Sequence, residues 1–333
     1  MINLEIEDIK KVAEINFNWS LLKDKTLFIS GGTGFLGQFL ISVIKYRNEV
    51  FDNRINVISC SRHVLPNEGN IKYISHDVMQ PIELSDNIDF IIHLASNTHP
   101  KLYAKDPVGT VTTYVFGTYN LLQLAVKKGA KRFLLASSVE IYGEGDGTPL
   151  KESYSGYIDC NTARAGYNEA KRVSESLSQS FIAQYGADCV IARLARCFGA
   201  DKKEDSKALA QFMNCAVRGE DIVLKSKGTQ RFSFCYVADA VSGLLKILLD
   251  GECGHAYNLA ADDEGLTLGE YAEYIASLAD KKVVYNIEAN DSVSKSSYAV
   301  LDCTKLKAMG WKPIYSVRDA LNRTYKILTE RKK

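Results

Sequence analysis

The chain has 333 residues, more than a single hydrophobic core usually fills, so one large or two unequal domains are expected. Hydrophobic residues make up 46%, charged residues 24%, and there are only 6 prolines, which excludes extended disorder. Lys and Arg number 41 against 40 Asp and Glu, and the net charge of +1 gives no bulk attraction to nucleic acid or an anionic membrane. A local phosphate site is still compatible with that balance. The 8 cysteines contain no CxxC pair, and most lie in apolar runs such as Cys189-Val190-Ile191, where a thiol packs as a small hydrophobe. Neither a disulfide framework nor a metal site is expected. Met1-Ile2-Asn3-Leu4-Glu5 lacks the basic start of a secretory signal, and no run reaches the roughly 18 apolar residues of a membrane span. A cytoplasmic location is expected.

In chain order, Ile6, Ile9, Val12 and Ala13 fall at helical spacing and predict a helix over 5–14. Apolar runs then predict strands at 26–30, 56–59, 72–75, 90–94, 133–136 and 190–194, with helices at 35–46, 107–128 and 167–185 between them. Continuous apolar runs, rather than alternating ones, mark strands covered on both faces, as in parallel sheets. The alternation predicts an α/β, Rossmann-type doubly wound parallel sheet. After Gly199 the rhythm loosens. A charged loop is expected at 201–205, then helices at 207–218, 238–250, 267–278 and 317–328 and strands at 256–259 and 283–287. The expected organisation is an N-terminal helical extension (1–24), a dinucleotide-binding Rossmann domain (25–199) and a smaller C-terminal α/β substrate lobe (200–330) interlocked with it.

Behind the first strand stands Gly31-Gly32-Thr33-Gly34-Phe35-Leu36-Gly37, a GxxGxxG turn opening a helix. One glycine permits the tight turn, one lets the backbone approach a pyrophosphate, and one lets helix pack on strand. The helix N-terminus then directs its amides at the phosphates. The lysine and hydroxyl residue of a P-loop are absent after Gly37, which disfavours ATP chemistry. At the end of the second strand, where an acidic residue would grip the ribose of NAD, stand Ser61 and Arg62. NADP or NAD is the expected cofactor, and this pair leans towards NADP. Asp77, ending the third strand, is placed to bond the adenine.

Tyr167 and Lys171 form a YxxxK pair on one helix face. An ammonium beside a phenol favours phenolate, which suits Tyr167 to proton exchange with a hydroxyl or ketone. Some 30 residues earlier, Ala136-Ser137-Ser138-Val139-Glu140-Ile141-Tyr142-Gly143 puts hydroxyls at the C-terminal edge of a strand, where open α/β folds bind ligands.

These pieces resemble an extended short-chain dehydrogenase/reductase of the nucleotide-sugar (NAD-dependent) epimerase/dehydratase family. The resemblance rests on the turn at 31–37, Asp77-Val78, His93-Leu94-Ala95-Ser96, the Ser137-Ser138 segment, Tyr167-x-x-x-Lys171, Tyr236-Val237-Ala238-Asp239, and the tail at Asp302–Leu306 and Gly310-Trp311-Lys312-Pro313. It spans about residues 25–330. It implies cofactor contacts from Gly31, Thr33, Gly34, Phe35, Leu36, Gly37, Ser61, Arg62, Asp77, Val78, Leu94, Ala95, Ser96, Tyr167 and Lys171. It implies further that Tyr167 moves the sugar-hydroxyl proton while the C4 hydride leaves. Lys171 would hold the nicotinamide ribose, Ser138 the reacting oxygen, and Glu140 would take the C5 proton in a dehydratase.

Four positions depart from the family. Val139 replaces an aspartate of the dTDP-glucose dehydratases, Tyr114 replaces a common asparagine, and Arg196 replaces a substrate-contacting asparagine. The arginine usual before the Tyr-Val-x-Asp strand comes one place early as Arg231, with Phe232 in its position, which weakens decarboxylation. Arg196 and Arg231 are candidate phosphate contacts, since guanidinium forks match phosphate oxygens. The expected activity is transient C4 oxidation of a nucleotide-diphosphate sugar, ending in epimerisation or dehydration. The alternatives are an NADPH-dependent reductase of a nucleotide-linked keto sugar and a non-catalytic cofactor sensor. A homodimer through helices 107–128 and 167–185 is expected.

Overall fold

The computed structural model describes residues 2–63, 65–96, 104–201, 207–261, 265–287 and 298–332. Most of the expected charged loop, 202–205, lies outside the described residues. A helix, α1 (Asn3–Ala13), precedes β1 (Thr26–Ser30), α2 (Phe35–Phe51), β2 (Asn56–Ser61), β3 (Ile71–Ser75), β4 (Phe90–His93), α3 (Pro107–Lys128), β5 (Arg132–Ser138), α4 (Ala165–Tyr185) and β6 (Cys189–Leu194). The chain continues with β7 (Arg196–Phe198), α5 (Ala208–Arg218), β8 (Ile222–Leu224), β9 (Arg231–Phe232), β10 (Phe234–Tyr236), α6 (Val237–Asp250), β11 (Ala256–Leu259), α7 (Leu268–Ser277), β12 (Val283–Tyr285), β13 (Tyr298–Ala299), α8 (Thr304–Ala308) and α9 (Val317–Lys332).

Seven parallel strands form the main sheet in the order β3-β2-β1-β4-β5-β6-β11. Successive side chains of a strand point to opposite faces. Leu27 and Ile29 therefore pack with Leu40 and Ile44 of α2 and Leu244 of α6, while Phe28 packs with Leu121 of α3 and Phe181 of α4. Burial on both faces is the cause of the continuous apolar runs. The helix ends follow local chemistry: the Asp106 carboxylate accepts the Gly109 N–H at the start of α3, with Pro107 in its first turn, and Gly129 ends it in the left-handed region.

One element sits elsewhere than its sequence neighbourhood suggested. The strand at 256–259, read as part of the C-terminal lobe, pairs in parallel with β6 and closes the main sheet. Two-residue and three-residue strands, too short to carry a pattern, pair as β7 with β10, β8 with β12 and β9 with β13. The strand order reverses between β1 and β4, so the turns after these two strands diverge and leave a crevice, as doubly wound sheets do.

Candidate active site

Gly31, directly after β1, has φ +77°, and a Cβ there would stand 2.8 Å from the Ala95 nitrogen and 2.9 Å from the Leu94 carbonyl carbon. A Cβ on Gly37 would lie 2.4 Å from the Gly31 oxygen. The two turns that flank the crevice thus meet backbone to backbone, and only glycine fits. Gly34 donates its N–H to the Gly31 carbonyl at 2.9 Å and caps α2, whose first amides open into the crevice. Beneath them, Ser30 Oγ and His93 Nδ1 are 2.7 Å apart, joining the ends of β1 and β4. Burial, reinforced by the Lys171 charge, drives the His93 pKa down to about 3, so the ring is neutral.

The crevice widens into a cleft of about 900 Å³. It is lined by every position expected to touch cofactor: Gly31, Thr33, Gly34, Phe35, Leu36, Gly37, Ser61, Arg62, Asp77, Val78, Leu94, Ala95, Ser96, Tyr167 and Lys171. A cradle closed to any Cβ, roofed by helix amides, fits a pyrophosphate. At the adenosine end, the Ser61 hydroxyl donates to the His63 carbonyl, and Arg62 is exposed. The Asp77 carboxylate accepts the Met79 N–H at 3.0 Å.

At the other end, Ser138, Glu140, Tyr167, Lys171 and Arg196 line the same cleft. β5 delivers Ser138 and the turn of 3-10 helix behind it delivers Glu140, while α4 presents Tyr167 and Lys171 one turn apart. Burial pushes the Tyr167 phenol up to about 12. Hydrogen bonds from the Ser138 and Tyr114 side chains and the charge of Arg196 work against that rise, and the Glu140 charge adds to it. Lys171 is 4% exposed. Its Nζ donates to the Ala136 carbonyl at 2.6 Å and lies 4.4 Å from the centre of the Tyr114 ring. Burial lowers its pKa to about 7, opposed by the Glu175 carboxylate. Glu175 itself accepts from the Ser137 hydroxyl at 2.5 Å and from Arg193 at 2.7 Å, which locks the end of β5 to α4.

The arginines sort differently from their expectation. Arg196 donates to Glu140 at 3.0 Å and stacks over the Phe232 ring at 3.9 Å. Arg231 does not reach the cleft: it is exposed on β9 and donates to the Gly265 carbonyl at 2.5 Å. Strand alternation is the reason, since residues 231 and 232 must face opposite ways and the apolar ring takes the inner side. Arg164 lies across from Arg196, 3.6 Å from the other Glu140 oxygen, and also lines the cleft. Sequence reasoning missed Arg164, although it precedes Tyr167 by three residues, close to one helical turn. It noted Tyr114 and Phe232 only as departures. Among the described residues, no cluster of His, Cys, Asp or Glu could hold a metal ion. No described helix is long and apolar enough to cross a membrane.

Comparison with known proteins agrees with this fold. The sequence model described as "NAD dependent epimerase/dehydratase family" matches residues 27–260. UDP-glucuronic acid decarboxylase 5 of Arabidopsis thaliana is 33% identical over 307 residues, covering 89% of this chain and 86% of that protein. UDP-glucuronic acid decarboxylase 1 of Danio rerio is 32% identical over 333 residues, covering 96% and 76%. Among solved structures, UDP-glucose 4-epimerase of Thermotoga maritima with UDP-glucose has a TM-score of 0.78 at 21% identity, covering 92% of this chain and 100% of that one. The dTDP-glucose 4,6-dehydratase DesIV of Streptomyces venezuelae with NAD has a TM-score of 0.78 at 22% identity, covering 92% and 98%. At those identities the shared property is the fold. By the match across most of its length, the chain belongs to the NAD dependent epimerase/dehydratase family.

Proposed function

We propose that the protein converts a nucleotide-diphosphate sugar through transient oxidation at C4, with NAD or NADP held over the Gly31–Gly37 turn. The observation that carries the reading is one continuous cleft with the glycine cradle at one end and Ser138, Tyr167 and Lys171 at the other. The nicotinamide, when bound, supplies the hydride acceptor. Ser138 bonds the sugar oxygen, and Tyr167 takes its proton as the hydride leaves and returns it when the ketone is reduced. Lys171, anchored on Ala136, places its amine at the base of the site, and burial leaves it protonated only below about pH 7. Glu140 is engaged by Arg196 and Arg164, so acting on a C5 proton requires it to exchange those partners for substrate. No carboxylate stands at the end of β2, and Arg62 there supports NADP over NAD. The exposed Val108, Phe116 and Tyr119 of α3 and Val173 and Tyr185 of α4 support a homodimer through these two helices.

A second reading, decarboxylation of a nucleotide-linked uronate, draws on Arg196. With Phe232 in the position of the family arginine, Arg196 of β7 brings a guanidinium over that ring. The test is a panel of neutral and acidic nucleotide sugars incubated with NAD or NADP, with products identified by NMR. Catalytic cofactor without net redox supports the C4-oxidation reading, and carbon dioxide release from a uronate selects its decarboxylase branch. Stoichiometric NADPH consumption by a keto sugar overturns it in favour of a reductase. Tyr167→Phe is expected to abolish turnover while cofactor still binds; retained activity removes Tyr167 from its role.

A further inference from the structure

Tyr114, which stands where the family commonly has asparagine, touches both members of the Tyr167–Lys171 pair. It is 1% exposed on α3, behind the cleft. Its ring meets that of Tyr167 edge to face, with centroids 5.3 Å apart and planes at 79°. Its hydroxyl is hydrogen-bonded to Tyr167. The face of the same ring carries the Lys171 ammonium at 4.4 Å. Two different parts of one side chain therefore meet the two groups on which proton transfer depends.

We infer that Tyr114 is a positioning residue of the active site, whose hydroxyl donates to the Tyr167 oxygen while its ring face holds the Lys171 cation. The inference rests on the reading of Tyr167 as the proton-transfer group. The physical argument has two halves. A phenolate formed at Tyr167 is buried, and a buried anion needs donors. Ser138 supplies one from β5 and Tyr114 supplies the second from α3. The ammonium of Lys171 is likewise buried, with one carbonyl partner in Ala136, and an aromatic face attracts a desolvated cation. An asparagine at position 114 can donate a hydrogen bond but offers no ring face, so the tyrosine couples the two groups where the amide cannot. The remaining charged groups facing Tyr167 are Glu140 from the turn after β5 and Arg196 from β7, with Arg164 paired to the same Glu140. They oppose one another in sign.

The halves separate experimentally. Tyr114→Phe removes the hydroxyl and keeps the ring; Tyr114→Asn removes the ring. Both are compared with Tyr167→Phe in the full chain, with thermal melting to verify folding. With tyrosine labelled at the phenol carbon, the Tyr167 NMR signal, assigned by its loss in Tyr167→Phe, is expected to shift in Tyr114→Phe at neutral pH. With labelled lysine, Lys171 is expected to titrate at its original pH in Tyr114→Phe and at lower pH in Tyr114→Asn. In turnover, Tyr114→Phe is expected to lower kcat about 10-fold or more, the worth of one hydrogen bond to a charged oxygen, and to move the acidic limb of the pH profile upward with KM little changed. An unmoved Tyr167 signal and pH limb in Tyr114→Phe overturn the inference, as does a Lys171 titration equal in both variants. Retained turnover in Tyr167→Phe instead defeats the underlying reading, whatever Tyr114 does.

Discussion

Arg196 and Arg231 are two arginines of similar promise in the sequence and opposite fate in the fold. The first is wedged between Glu140 and the Phe232 ring inside the cleft; the second bonds a loop carbonyl on the outside. Arg196→Ala is therefore expected to raise KM for the nucleotide sugar about 10-fold or more, by loss of a charge-assisted contact, while Arg231→Ala leaves KM within about two-fold. Steady-state kinetics on the two variants checks this, and equal effects contradict the assignment. The glycines make a sharper case. In Gly37→Ala the new methyl would meet the Gly31 oxygen at 2.4 Å and the Gly32 Cα at 2.6 Å, both backbone atoms that cannot swing aside. The turn must open, and cofactor affinity measured by calorimetry is expected to fall by at least about 10-fold, because the helix amides no longer aim at the phosphates.

Elements were legible in the sequence wherever they were long. The run 26–30 and the segment 107–128 coincide with β1 and α3 because continuous burial and end-capping write themselves locally. Asp106 at the head of α3 is expected to contribute about 1 kcal/mol through its cap, so Asp106→Ala should lower the melting temperature by about 1–2 °C. The exposed stripe Val108, Phe116 and Tyr119 on the same helix gives a test of association. Phe116→Asp is expected to shift the protein to monomer in sedimentation, and an unchanged mass defeats the proposed dimer face. What the sequence hid depended on contacts far apart in the chain. β9 has two residues and no period of its own, so the inward turn of Phe232 comes from pairing with β13. The lock of Glu175 to Ser137 and Arg193 joins three elements, and nothing in any one of them announces it. The position of Tyr114 could be read as an oddity, but its meeting with Tyr167 and Lys171 needed the packing of α3 on α4.

Across the whole molecule, the first and last helices are tied through one buried carboxylate. Asp8 of α1, 1% exposed, accepts from Tyr236 and Tyr315 at 2.6 Å each and from Arg323 of α9 at 2.8 Å. Asp8→Ala would remove the acceptor shared by the Tyr236 and Tyr315 hydroxyls, while the half-buried Arg323 keeps the Leu4 carbonyl and Glu7, and is expected to cost about 2 kcal/mol by chemical denaturation. Nearby, Asp239 is fully buried; one oxygen accepts the Ile314 N–H at 2.5 Å, and the other has no hydrogen-bond partner among the described residues. Burial raises its pKa to about 7, against the hydrogen bonds of Ile314 and Tyr315. Its folded pKa exceeds its unfolded one, so its contribution to stability is full below about pH 4 and declines as pH rises towards 7. Asp239→Asn is expected to remove that decline, read as a smaller fall in melting temperature between pH 5 and pH 8 than in the parent; an equal fall in both contradicts it. The closing strand, β11, has a different consequence, in time rather than energy. On the ribosome, the cofactor half emerges first, but its edge at β6 stays unpaired until residues 256–259 follow. During that interval the nascent chain carries an open strand edge of the kind that recruits other chains. A translation stall between residues 195 and 255 would therefore be a hazard of aggregation, and the excursion through the second lobe sets how long that window lasts.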